Sequence, residues 1–167
     1  MKALVPLDRS ENSLRIFSTV RRLLDLQPAI EIHLLAVVDP KSVHGRQEHA
    51  VSEPPSVSYG KTAISTPLPR VVESHGQALE GESLETRSWL TGLAAAEIPN
   101  AVHVAHVEWS TRPGEAIVAF ANSIDVDVIV MATHGRSGVS HLVAGSVTES
   151  VIRNSSRPVL VQGPAAL

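Results

Sequence analysis

The chain has 167 residues, no cysteine, 43% hydrophobic residues, and 14 Lys+Arg against 17 Asp+Glu, for a formal net charge of -3. That length suits one domain with a real core, and the composition is too apolar for a disordered chain. Lack of cysteine excludes disulfides, thiolate nucleophiles, zinc ribbons and iron–sulfur clusters; mild acidity and 3% aromatic residues argue against a nucleic-acid surface or a base-stacking platform.

Residues 2–7 predict a short buried strand ending at Asp8. The start shows no signal-peptide pattern, and no stretch approaches the ~20 apolar residues of a membrane span. The expectation is a cytoplasmic protein with no membrane or nucleic-acid partner. Asp8-Arg9-Ser10-Glu11-Asn12-Ser13 is rich in helix starters. Leu14, Phe17, Val20, Leu23 and Leu24 then keep a helical period until Pro28. Residues 30–38 begin by alternating and end as a continuous apolar run, as a strand covered on both faces would. Residues 40–69 hold much Pro, Ser, Gly and His without periodicity and predict a long surface excursion.

Residues 70–97 predict a long helix on the stripe Val71, Val72, His75, Leu79, Leu90, Leu93 and Ala94. Gly76 and Gly81 each cost about 1 kcal/mol in a helix interior, so a break near Gly81 is the alternative. Residues 101–109 predict a strand, Ser110 to Gly114 a turn, and Ile117, Phe120, Ala121 and Ile124 the inner face of a helix. Residues 126–132 form an apolar, central strand. A Gly/Ser-rich loop, a helix over 146–154 and a strand over 158–161 complete the chain. This alternation predicts one α/β domain over 1–167: a doubly wound, Rossmann-like parallel sheet of five strands in the order 3-2-1-4-5, with helices on both faces. In such sheets ligands bind beyond the carboxyl ends of the strands, where the winding reverses.

The loop after the fourth strand has the parts of an anion site. Gly135 and Gly138 leave backbone N–H groups uncovered, and Gly145-Ser146 opens a helix whose first N–H groups favour a phosphate. Ser146 adds a hydroxyl, and Arg136 or His141 adds charge. The same residues fit a plainer reading, because Ser146 to Glu149 also has capping-box spacing, with serine at the N-cap.

The run Val130 to Gly138, the run Ala144 to Val151 and Arg157-Pro158-Val159-Leu160-Val161 together resemble the universal stress protein family. Val5 to Ser10 and the strand end Leu34 to Asp39 are similar too, so the resemblance spans nearly all the chain outside 40–69. It points to the family's nucleotide-binding branch, whose pattern is glycine, two residues, glycine, nine residues, glycine, then serine or threonine. Gly135, Gly145 and Ser146 match; Ala132 stands where the first glycine belongs and adds a methyl there. The resemblance implies ATP or AMP as ligand. Pro6 and Asp8 would lie near the nucleoside, Val37 would offer backbone groups to adenine, and Ala132, Gly135, Gly145 and Ser146 would hold ribose and phosphates. It also implies a homodimer through residues 158–162, which are expected at a sheet edge.

Other residues are open to two readings. Asp8 could contact nucleotide or hold Mg²⁺ through water, or serve as N-cap of the first helix. His134 and His141 have no carboxylate or nucleophile placed with them by sequence, and His103 and His106, three apart on a strand, point to opposite faces. No catalytic triad or metal-ligand spacing is present in the sequence. The expected function is nucleotide-dependent stress response by binding and signalling. The alternatives are a dimeric interaction module of the same fold that binds no nucleotide, or a slow ATP hydrolase.

Overall fold

The computed structural model describes residues 1–43, 74–133 and 145–163. Five strands form one parallel sheet: β1 (Lys2–Pro6), β2 (Glu31–Val38), β3 (His103–Trp109), β4 (Val128–Ala132) and β5 (Val159–Gln162). Their order is β3-β2-β1-β4-β5, as the alternation predicts. Between them lie α1 (Glu11–Leu14), α2 (Phe17–Leu26), α3 (His75–Glu97), α4 (Pro113–Ser123) and α5 (Ser146–Asn154).

Alternation along the strands sorts the core into two layers. Ala3 and Val5 of β1, Ile32, Leu34 and Ala36 of β2, and Val130 of β4 meet Phe17, Val20, Leu90 and Ala94 of α2 and α3. Leu4, Leu35, Ile129 and Met131 face the other way, onto Ile117 and Ala121 of α4 and Val151 of α5. The apolar run in β2 is therefore a strand covered on both sides. β1 pairs with β2 from Lys2–Glu31 to Pro6–Leu35, but with β4 only through Ala3–Val128 and Leu4–Ile129 among the described residues. Pro6 has no N–H to extend a ladder. The winding reverses between β1 and β4, so a crevice opens at their carboxyl ends.

Several local expectations change. The predicted first helix is two pieces, because Ile16 and Ser18 donate to Ser13 and Arg15, three residues back rather than four. This tighter turn buries Ile16, which the apolar stripe leaves out. In the second layer, α4 starts at Pro113, inside the expected turn, since proline at a first helical position surrenders no hydrogen bond. α3 runs unbroken through Gly76, Gly81 and Gly92. It starts at His75, on a capping box between Ser74 and Gln77; residues 70–73 lie outside the described residues. The three glycines are tolerated because a helix is held mainly by its packed face, here Ala78, Thr86, Leu90 and Ala94. Of the predicted excursion, residues 40–42 form a short turn capped by Asp39, and residues 44–69 lie outside the described residues.

Candidate functional site

The crevice is built from the ends of β1 and β4 and the start of α5. Pro6 ends β1 half-buried, and Asp8 follows in an exposed loop. The Ser13 hydroxyl accepts from the Asp8 N–H (3.2 Å) and donates to the Asp8 carbonyl (2.6 Å), which holds the loop closed. The N-cap reading of Asp8 is corrected. Ser10 is the N-cap of α1, and Asp8 braces it by accepting from the Ser10 N–H (3.0 Å) and hydroxyl (2.5 Å). Val37 lies near the end of β2, half-buried against the α4 side.

Ala132 ends β4, half-buried on the α2 side. Its carbonyl accepts from the Thr148 hydroxyl at 3.5 Å, and the Thr133 hydroxyl accepts from the Gly145 N–H at 3.2 Å. These two threonines set the amino end of α5 against the carboxyl end of β4. Neither was singled out from the sequence; Thr148, 3% exposed, sits inside the residues that fit a capping box. That capping box does not form. Gly145 is the N-cap, no side chain caps it, and Ser146 is the first helical residue, exposed. Glu149 instead accepts from Arg153 one turn on, at 2.9 and 2.7 Å. The N–H groups of Ser146, Val147 and Thr148 thus start a helix without an intrahelical acceptor. Beside them is an open cavity of about 240 Å³, lined by Arg112, Pro113, Gly114, Glu115, Ser146, Val147 and Ser150. Gly135, Arg136 and Gly138, like His134 and His141, lie outside the described residues.

A pair that the sequence hides lies lower on the sheet. His106 sits on the α4 side as alternation requires, tilted against Phe120 with ring centroids 4.7 Å apart. His33 stacks on it from β2, with Nδ1 3.0 Å from His106 Nε2. His33 is 6% exposed, and its Nε2 approaches Glu31 at 3.4 Å without hydrogen-bond geometry. While both rings are neutral, one nitrogen of the pair donates and the other accepts; when each ring gains a proton, two N–H groups face each other and two cations lie side by side.

Burial, which outweighs the raising effect of the Glu31 charge and is helped by a smaller push from Lys2, holds His33 below its ordinary value of 6.5. Burial and then His33 itself do the same to His106. Unfolding frees both rings to take protons near their ordinary value, so stability is full above about pH 6.5 and is lost as pH falls below it. Thermal unfolding is expected to show Tm level from about pH 8 to about pH 6.5 and dropping from there to about pH 5.5. The drop should be shallower in His106→Gln; equal slopes would show that other groups carry it.

The fold defines a doubly wound α/β protein, a class whose ligands bind at the winding switch. The sequence model of the universal stress protein family matches residues 1–162, and the chain belongs to that family. Universal stress protein MJ0577 of Methanocaldococcus jannaschii is 47% identical over 49 residues, which is 29% of this chain and 30% of that protein's length. The solved structure of MJ0577 superimposes with a TM-score of 0.65 at 25% identity, over 99% of this chain and 97% of that one. Two further structures share the fold. A universal stress protein in complex with cAMP has a TM-score of 0.59 at 16% identity, over 99% and 98% of the two chains. One from Archaeoglobus fulgidus in complex with dAMP has a TM-score of 0.55 at 20% identity, over 96% of each. Among the described residues, no helix is long and apolar enough to cross a membrane.

Proposed function

We propose that this chain binds an adenine nucleotide, ATP or AMP, at the carboxyl ends of β1 and β4, and serves a cytoplasmic stress response by binding and signalling. The observation that carries the reading is the amino end of α5. It has a glycine cap, no side-chain cap, and is held against β4 by Thr133 and Thr148. Uncapped N–H groups and the helix dipole there suit a phosphate, and suit it locally, since a chain of net charge -3 supplies no attractive overall field. The nucleotides in the cAMP and dAMP complexes of two relatives agree in class. In this reading Pro6, Asp8 and Val37 meet the nucleoside. Ala132, Gly135, Arg136, Gly138, Gly145 and Ser146 surround ribose and phosphates, with Mg²⁺ on the phosphates. The whole chain is one domain, and two copies pair through β5, where Leu160 is exposed at the sheet edge.

Thermal-shift titration with ATP, ADP, AMP and GTP, with and without Mg²⁺, tests this. A nucleotide at 100 times its Kd stabilises the fold by about 2.7 kcal/mol. Gly145→Val is expected to abolish the shift. Gly145 has φ -56° and ψ 155°, open to any residue, so the substitution removes space at the phosphates without straining the backbone. No shift with any nucleotide at millimolar concentration would leave the interaction-module reading, which Ala132 at the first glycine position favours.

A further inference from the structure

The residue after Asp8 reaches to a different element. Arg9 Nη2 lies 3.5 Å from Glu82 Oε1 and donates to the Thr86 hydroxyl at 3.4 Å, while Nη1 donates to Glu85 Oε1 at 3.4 Å. Its guanidinium carbon lies 5.7 Å from the ring centroid of Trp89. Residues 82, 85, 86 and 89 form one stripe of α3, spaced as a helix face requires. Thr86, 3% exposed, donates in turn to Glu82 Oε1 at 3.1 Å, which fixes the receiving carboxylate. A planar guanidinium can meet both carboxylates and the ring at once, where a lysine ammonium meets one partner at a time. Each contact is half-exposed and weak by itself. Their common feature is direction: all of them hold the loop that carries Asp8.

The loop is stiff enough to pass that restraint on. Ser13, itself buried, holds both backbone polar groups of Asp8, and Asp8 holds Ser10. A shift of α3 along or away from the sheet therefore moves the loop as a unit rather than bending it.

We propose that Arg9 is a positioning residue that ties the crevice loop to α3, so that nucleotide affinity depends on where α3 sits. The dependence on affinity rests on the nucleotide reading above; the tie itself does not. Calorimetric titration of the full chain with ATP and AMP compares wild type, Arg9→Ala, Arg9→Lys and the double variant Glu82→Gln/Glu85→Gln. Arg9→Ala and the glutamine pair are each expected to weaken binding about 3- to 10-fold, the size of a few such contacts. Combining them should be no worse than Arg9→Ala alone, because both remove the same contacts. Arg9→Lys should recover part of the loss.

In a Trp109→Phe background, Trp89 emission should change on nucleotide addition and stay unchanged in Arg9→Ala. Unaltered affinity in Arg9→Ala overturns the proposal. So does wild-type affinity in the glutamine pair beside a loss in Arg9→Ala, since Arg9 would then touch the ligand itself. Amide hydrogen exchange on the ligand-free protein separates the tie from the nucleotide reading. Residues 8–14 should exchange about 3- to 10-fold faster in Arg9→Ala and in the glutamine pair, for contacts of this size. Unchanged exchange there overturns the tie even if nucleotide binds, and faster exchange upholds it even if none does.

Discussion

Leu90→Ala is expected to lower stability by about 3 kcal/mol and Tm by on the order of 10 °C. α3 is 23 residues long, yet its buried residues are Ala78, Thr86, Leu90 and Ala94. Leu90 is the large one, fully enclosed among Val20, Leu34 and their neighbours. Truncation removes apolar contact and leaves a cavity that Ala94, a short side chain on the next turn, does not fill. Three glycines and modest helical propensity give α3 little stability away from the sheet, so loss of this anchor loosens the helix as a whole. Leu84→Ala, on the exposed side of the same helix, is the control, with an effect within about 0.5 kcal/mol. Equal Tm values for the two variants, by calorimetry, would show that α3 is not held through Leu90.

Gly114→Ala is the second large effect, expected at about 1–3 kcal/mol. Here α4 and α5 touch so closely that a Cβ on residue 114 would stand 2.5 Å from Ser150 Oγ and 2.6 Å from Ser150 Cβ. The hydroxyl could rotate away, but the Ser150 Cβ is fixed to the α5 backbone. The two helices must then separate, at the place where their amino ends border the cavity beside Ser146. Rescue discriminates this mechanism from a loss of glycine's flexibility. Ser150→Ala keeps the clashing Cβ and should restore almost nothing. Ser150→Gly removes it, and Gly114→Ala/Ser150→Gly should be more stable than Gly114→Ala, although glycine in α5 by itself costs about 0.5–1 kcal/mol. Chemical denaturation of wild type, Gly114→Ala, Ser150→Gly and Gly114→Ala/Ser150→Gly reads the coupling directly; additive effects would mean the helices do not meet there.

Both predictions depend on contacts between elements, and that is also the line between what could and could not be read along the chain. The strand at 30–38 was legible because burial on both faces leaves a continuous apolar run, and α2 was legible through Phe17, Val20, Leu23 and Leu24. The end of the first helical piece was not, since the turn at Arg15-Ile16 is set by Ile16 entering the core. Ser146 to Glu149 has the spacing of a capping box, but helix ends are decided by what surrounds them. Thr133, arriving from β4, takes the Gly145 N–H, and the helix begins one residue earlier than that spacing suggests.

Sequence by itself determined the alternation of strands and helices, the parallel sheet with its 3-2-1-4-5 order, and the loops that meet at the winding switch. Those follow from local periods of about 2 and 3.6 residues, which backbone geometry imposes on any strand or helix, together with the fixed hand of the crossovers. The tertiary structure alone decided that Arg9 reaches α3, that His33 stacks on His106, that Gly114 meets Ser150, and that two threonines seat α5 on β4. Such pairings join residues as far apart in the chain as Arg9 and Trp89. They depend on register and helix docking, and no local pattern records either.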